Sequence, residues 1–285
     1  MSVASRRRRL PRLNVLLTQG ALSLYSVLIV FPLAWMSYTA LKSSVEIFQN
    51  AWSLPETPHW ENFATAWGGG GNLGRYFGNS ALVTSISLVL ILATASMATY
   101  GLTRFRFRGA AFLLNVFIAG MMFPIFLGIV PLYLLMSQWG LNDTYQGLIL
   151  VYIAYSLPFT VFVLSGFFRA LPEELAEASM LDGCTRFGTF WRVMMPLAKP
   201  GLAVAGVFNF IGLWNEYPLA LVLMTERNLR TLPVGIASMA MRQQYDADWG
   251  ALFAGLLIVL APTMAVYLLF QRHIAAGLTA GALKG

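Results

Sequence analysis

Charge is what this chain has least of. Only 11% of its 285 residues are Asp, Glu, Lys or Arg, against about a quarter in soluble chains. Hydrophobic residues make up 58%, and the mean hydropathy is +0.66. Such a composition excludes an ordinary water-soluble domain and requires lipid as the solvent. Cysteine is nearly absent: one residue, Cys184, excludes an internal disulfide. The two histidines, His59 and His273, fall on opposite sides of the expected membrane and exclude a metal site shared between them. No Gly-x4-Gly-Lys-Ser/Thr loop occurs, so the chain cannot bind and hydrolyse ATP by itself. Residues Gly69-x-Gly71-x-x-Gly74 match a dinucleotide fingerprint in letters only, because no strand precedes them. They read as a flexible turn.

What the chain has is length of apolar run. A hydrocarbon core of about 30 Å needs about 20 helical residues at roughly 1.5 Å each. Six runs qualify, at about 18–41, 80–102, 111–136, 145–168, 201–224 and 251–271. The expectation is an all-α integral membrane protein of six transmembrane helices. Lys and Arg set the orientation. With both termini inside, fourteen of the 19 cations lie on the cytoplasmic side, led by Arg6 to Arg9 and Arg12. The net charge of +7 therefore follows from topology, with no nucleic-acid partner required. The first run is too long for a cleaved signal core and has no small-residue cleavage site, so it reads as an uncleaved span.

The expected organisation is a basic cytoplasmic N-terminus at 1–17, a first span at 18–41 and an extracytoplasmic loop at 42–79. A core at 80–271 then carries five spans, including a cytoplasmic loop at 171–196, and a cytoplasmic tail follows at 272–285. The 42–79 loop carries Trp52, Trp60 and Trp67, which suit a headgroup boundary. A short outer turn is expected at 137–144. The outer segment 225–250 is either a solvated connection or a contact surface.

The 171–196 loop is polar where everything around it is apolar. Pro172 fits the first turn of a helix, and Glu173 and Glu174 follow where the helix dipole favours negative charge. Gly183 can end this helix in the left-handed region and Thr185 can cap a second one. Phe187, Phe190, Trp191 and Met194 recur at helical spacing as one apolar face, and Pro196 is expected to stop the helix. An interfacial helix accounts for the aromatic face but not for Glu173, Glu174, Glu177 and Asp182 on a side that prefers cations. Docking to a basic groove on a soluble partner accounts for both.

These residues carry a resemblance. Glu177-Ala178-Ser179-x3-Gly183-x9-Val193-x-Met195-Pro196 resembles the Glu-Ala-Ala…Gly…Ile-x-Leu-Pro loop of binding-protein-dependent ABC importers, with Ser179 in place of the second Ala. The C-terminal Gly277-Leu278-Thr279-Ala280-Gly281-Ala282-Leu283-Lys284-Gly285 and Trp214-Asn215-Glu216-Tyr217 are similar to carbohydrate-uptake permeases of the maltose-transporter type. The resemblance implies a non-enzymatic permease subunit in the membrane of a bacterial cell, moving a sugar. It also implies a second homologous permease, two ATPase subunits that hold ATP and Mg, and an extracytoplasmic solute-binding protein. No cofactor or metal is expected in this chain. Glu177 and Gly183 correspond to the motif's acidic contact and its glycine turn, within a coupling set of Glu173, Glu174, Glu177, Ala178, Ser179, Asp182, Gly183 and Pro196.

A substrate path is sought among polar groups inside the membrane, which usually face protein or water. On a helical wheel Asn209, Gly212 and Glu216 share one face of the fifth run, with Trp214, Asn215 and Tyr217 nearby and Pro218 placed to kink it. Tyr152, Tyr155 and Ser156 form a patch on the fourth. Two readings stand for Glu216: a hydrogen-bonding partner for sugar hydroxyls, or an interhelical hydrogen bond. Ser80, Thr84, Ser87 and Thr94 line one stripe of the second run, where small polar residues favour close helix packing. Pro124, Pro131 and Pro158 are expected to break or kink helices. The alternative function is an ion-coupled secondary transporter that uses Glu216, which leaves the 171–196 loop without a purpose.

Overall fold

The computed structural model describes residues 12–105, 107–243 and 247–282, with side chains described from Val15 to Arg272 within them. Every regular element among the described residues is helical. Helix α1 (Arg12–Thr39) precedes two short helices, α2 (Ser44–Gln49) and α3 (Glu61–Trp67), and the long α4 (Leu73–Arg104). Next come α5 (Ala110–Gly120), α6 (Ile125–Gln138), α7 (Tyr145–Ala170), α8 (Glu174–Leu181) and α9 (Arg186–Thr189). A π-helix over Phe190–Met194 leads into α10 (Met195–Leu197). The remaining helices are α11 (Lys199–Trp214), α12 (Pro218–Leu223), α13 (Leu232–Arg242) and α14 (Trp249–Ala282).

Four stretches are long and apolar enough to cross a membrane: Val15–Thr39, Leu73–Arg104, Tyr145–Ala170 and Trp249–Arg272. The other two crossings are not single rods. Helices α5 and α6 meet at 99° across Met121–Pro124. Pro124 has no N–H to donate and extended backbone (ψ 117°), so the helix cannot run through it. Pro131 and Pro158 sit inside α6 and α7 without ending either. The fifth run also breaks. Sixteen residues of α11 rise about 24 Å, short of a bilayer core; the stretch Arg186–Leu197 meets α11 at 74° across Ala198, and α12 follows after a gap at Asn215–Tyr217. With each bent pair counted as one crossing, the crossings number six.

Helix α4 packs chiefly along α7. Ser80, Thr84 and Ser87 are buried, Ser80 with its hydroxyl accepting from Leu232 N at 2.8 Å, and Thr94 is partly buried with its hydroxyl turned back to Leu90 O at 2.6 Å. One apolar cluster gathers Leu148, Val151, Tyr152, Leu213 and Leu223 at one end of the bundle. A second gathers Tyr100, Leu164, Phe168, Phe190 and Met194 at the other. The two ends are thus packed independently.

The segment expected as an open loop at 42–79 is folded, and α4 already begins at Leu73. Lys42 is fully buried, and its ammonium donates to Asn50 O at 2.7 Å, Ser53 O at 2.8 Å and Ser53 Oγ at 3.0 Å. A buried cation persists only with its donors filled, so Lys42 fixes the chain around itself. Asn62 Nδ2 donates to Ala40 O and Lys42 O, and Ser43 and Glu46 form a reciprocal capping box on α2. Gly250 packs so closely here that an added Cβ would lie 2.5 Å from Lys42 O. The glycine run is not slack either: Gly68, Gly69 and Gly71 return amides to Ala64 and Thr65 and close α3. In 225–250, α13 buries Leu232, Val234 and Met239, so that connection is a packed helix rather than a solvated strand of chain.

Candidate functional site

Two regions collect the residues singled out above, at opposite ends of the bundle's length. The first is the helix-turn-helix between α7 and α11. Pro172 lies ahead of the first helix instead of inside it; Glu173 is the cap residue and α8 starts at Glu174. Extended backbone at Leu171 (ψ 136°) keeps α7 from running on. Ala176 and Ser179 are buried on the inner face of α8, whereas Glu173, Glu174, Glu177, Ala178, Leu181 and Asp182 are exposed. One face of a two-turn helix is thus acidic and open.

Gly183 adopts φ +87°, a conformation without steric penalty only for glycine, and turns the chain after α8. Thr185 Oγ1 then accepts from Gly188 N at 3.1 Å and caps α9. Pro196 does not stop the helix. A proline in a helix interior collides with the carbonyl four residues back; here the helix widens to a π-turn over Phe190–Met194 and carries Pro196, exposed, as far as Ala198. The wider turn also splits the expected apolar face. Phe190 and Met194 are buried under Tyr100 and Phe168, while Phe187 and Trp191 are exposed. The two halves are tied by a contact that the sequence did not announce: Ser179 Oγ lies 2.8 Å from Thr189 Oγ1, both residues being buried.

The second region surrounds Glu216. It is not on a helix face with Asn209 and Gly212, but in the gap between α11 and α12. Its Oε1 accepts from Leu219 N at 2.7 Å, and its Oε2 accepts from Ala220 N at 3.0 Å and Tyr152 OH at 2.8 Å. Of the two readings, the geometry is that of an interhelical bond plus a helix cap. Asn209 is buried and donates to Thr160 Oγ1 at 2.9 Å and Ala205 O at 2.8 Å. Trp214 is buried with Nε1 donating to Val259 O at 3.1 Å, and it stacks on Phe210. Asn215 is exposed and donates to Ile211 O. Tyr217 is half-buried against the first apolar cluster.

Tyr155 behaves differently. It is 53% exposed and faces a cavity of about 840 Å³ beside the α5/α6 break, with Gly120, Phe123, Ser156, Phe208 and Asn209 also in its wall. Of the seven residues proposed for a path, Tyr155 and Asn209 meet at this cavity. Tyr152, Trp214, Asn215, Glu216 and Tyr217 are not among the residues of its wall. Among the described residues no cluster of His, Cys, Asp and Glu could hold a metal ion.

Residues 90–279 match the family described as Binding-protein-dependent transport system inner membrane component. The chain belongs to that family. It is 41% identical over 268 residues to the diacetylchitobiose uptake system permease protein NgcG of Streptomyces coelicolor, covering 94% of this chain and 88% of that one. It is 35% identical to the trehalose transport system permease protein SugB of Mycobacterium tuberculosis, covering 90% and 93%. Its fold is that of a bacterial ABC transporter that imports the polysaccharide alginate, at a TM-score of 0.79 and 21% identity over 95% of this chain and 99% of the other. The chain is thus a membrane permease subunit of a binding-protein-dependent transport system.

Proposed function

We propose that this permease carries an oligosaccharide or related carbohydrate inward across a bacterial cell membrane, powered by separate ATPase subunits that grip its 171–196 loop. One observation carries the reading: a polar helix-turn-helix is seated on the bundle by Phe190 and Met194 yet holds Glu173, Glu174, Glu177 and Asp182 outward. Such a face fits a basic cleft on a soluble partner. The Lys and Arg bias supports a cytoplasmic location for both termini and this loop. The remaining partners follow from the family: a second permease, two ATPases that hold ATP and Mg, and an extracytoplasmic binding protein that delivers the sugar. Relatives named for diacetylchitobiose and trehalose support the carbohydrate class.

In this mechanism ATP-driven closure of the ATPases displaces the loop, and the loop rocks the helices from inward-open to outward-open. This chain supplies path and lever. Tyr155 and Phe208 offer the flat apolar surfaces that sugars use, and the cavity at the α5/α6 break is the space they face. Glu216 stays a structural residue, since its carboxyl oxygens are already engaged by three donors; nothing favours the ion-coupled alternative. Gentle solubilisation followed by mass spectrometry of the co-purifying chains, then reconstitution with ATP and candidate sugars, tests the reading. An ATPase, a second permease and a binding protein should accompany the chain. Transport by this chain alone without ATP would overturn the proposal.

A further inference from the structure

A helix that ends and restarts around an extended linker transmits force poorly, and the loop joins α7 through such a linker at Leu171 and Pro172. Arg104, in the last turn of α4, spans that joint. Its Nη2 donates to Phe168 O, still inside α7, and to Leu171 O, in the linker, each at 2.6 Å. The last carbonyls of a helix lack intrahelical partners and carry the negative end of its dipole. A guanidinium from another helix is well matched to them and holds its fork in one plane.

The same turn of α4 reaches the rest of the loop. The Tyr100 ring lies 5.1 Å from Phe190 and 6.1 Å from Phe168, between the π-turn and the end of α7. Arg186, at the start of α9, stacks on Phe105 at 5.4 Å. Contacts from Tyr100, Arg104 and Phe105 at one helix end therefore touch both the entry of the loop and its second helix. Nothing in the motif at 177–196 accounts for them.

We infer that Arg104 is a positioning residue for coupling: by bridging the α7–linker joint it makes the end of α4 the seat through which movement of the 171–196 loop reaches the bundle. The inference rests on the importer reading. It concerns transmission, not docking, so the ATPase still binds and still turns over when the bridge is lost.

The test uses the whole complex with its binding protein, reconstituted in liposomes, and measures sugar imported per ATP hydrolysed. Arg104→Met keeps the stem and removes the donors. The expected result is assembled complex in normal amount, retained ATP hydrolysis and a fall of roughly ten-fold in sugar per ATP. Arg104→Lys, which returns a charged donor, should recover at least half of that ratio. Should the Met variant fail to assemble, Arg104→Gln supplies the same reading. A ratio unchanged from the wild type, with only the amount of complex reduced, overturns the inference, as does failure of both Met and Gln to assemble. A wild-type complex that hydrolyses ATP without sugar uptake overturns the importer reading as well.

Discussion

Replacing Glu216 should destabilise the permease in an order set by how many donors lose their acceptor. Helix α12 has an unusual first turn. Pro218 has no N–H, and Leu221 N already reaches Tyr217 O at 2.8 Å, so Leu219 and Ala220 hold the two amides left over. Glu216 takes both, and takes the hydroxyl of Tyr152 as well. Leu219, Ala220 and Tyr152 are each no more than 1% exposed, so water is a poor substitute. An unsatisfied buried donor costs about 1–3 kcal/mol. Glu216→Ala strands three, and access of water from the exposed Asn215 side keeps the loss toward the low end, about 3–5 kcal/mol. Glu216→Gln keeps one acceptor oxygen for the amides and can meet Tyr152 OH with its N–H, for a loss of about 1–2 kcal/mol. Tyr152→Phe removes one bond and should cost about 1 kcal/mol. The assay is denaturant unfolding of the solubilised complex for the three variants and the double variant Tyr152→Phe/Glu216→Gln. If Glu216→Ala unfolds within 1 kcal/mol of wild type, or the double-mutant cycle shows no coupling, the cap argument is refuted.

Other perturbations read out other parts of the fold. Glu177→Lys, on the open face of α8, should abolish uptake and release the ATPase while the amount of protein in the membrane stays the same; quantitative co-purification checks it. Gly183→Ala should cost about 1–2 kcal/mol through its φ of +87° alone, because an added Cβ there meets nothing within 4 Å, and thermal inactivation of the complex measures it. Ser179→Ala and Thr189→Val should each loosen the helix-turn-helix by about 1 kcal/mol and be non-additive together, as unfolding of the double variant would reveal. Glu46 is held below the usual carboxylate value of 4.5, first by the Ser43 amide and then by the Glu56 amide, the Ser43 hydroxyl and His59. A depressed folded-state pKa means stabilisation that is full above 4.5 and lost as pH falls through the lower value. Hydrogen-exchange protection at Ser43 and Glu56 should therefore drop in that acid window; protection lost already as pH falls toward 4.5 would be the contrary result.

The six crossings were legible because lipid imposes a length and a composition that any apolar run must meet. The turn at Gly183 and the cap at Thr185 were legible because both depend on local backbone chemistry. Hydropathy could not find the breaks at Met121–Pro124 and Asn215–Tyr217, since it sums composition and ignores direction; Pro124 and Pro218 marked them instead. Nor could hydropathy tell that Trp214 and Tyr152, named as candidates for a sugar path, are buried with their polar ends engaged inside the protein. Their polar ends find Val259 O and Glu216, 45 and 64 residues away in sequence. Asn209 spends its amide on Thr160 while also lining the cavity. Lys42 counts as an outer cation in any charge tally, yet its role is to fold residues 42–53 around an ammonium group. Ser179 looked like a mild replacement of alanine; its hydroxyl matters only because Thr189 faces it across the turn.

The helix breaks at Asn215–Tyr217 and Met121–Pro124 satisfy their backbone in different ways, and the difference has a mechanical consequence. At Asn215–Tyr217 the freed amides of α12 are held by Glu216, which Tyr152 ties to α7. Moving α12 against α11 and α7 breaks side-chain bonds among buried groups. At Met121–Pro124 the amides of Met121, Met122 and Phe123 fold back on Ile118, Ala119 and Gly120 in tight three-residue steps, with no side chain involved. Pro124 contributes no amide at all. The angle between α5 and α6 can therefore change without stranding a buried side-chain partner. This second break is also the one that borders the cavity containing Tyr155 and Asn209. A bundle that must change shape around a passing substrate loses least by bending at α5/α6 and keeping α11/α12 locked.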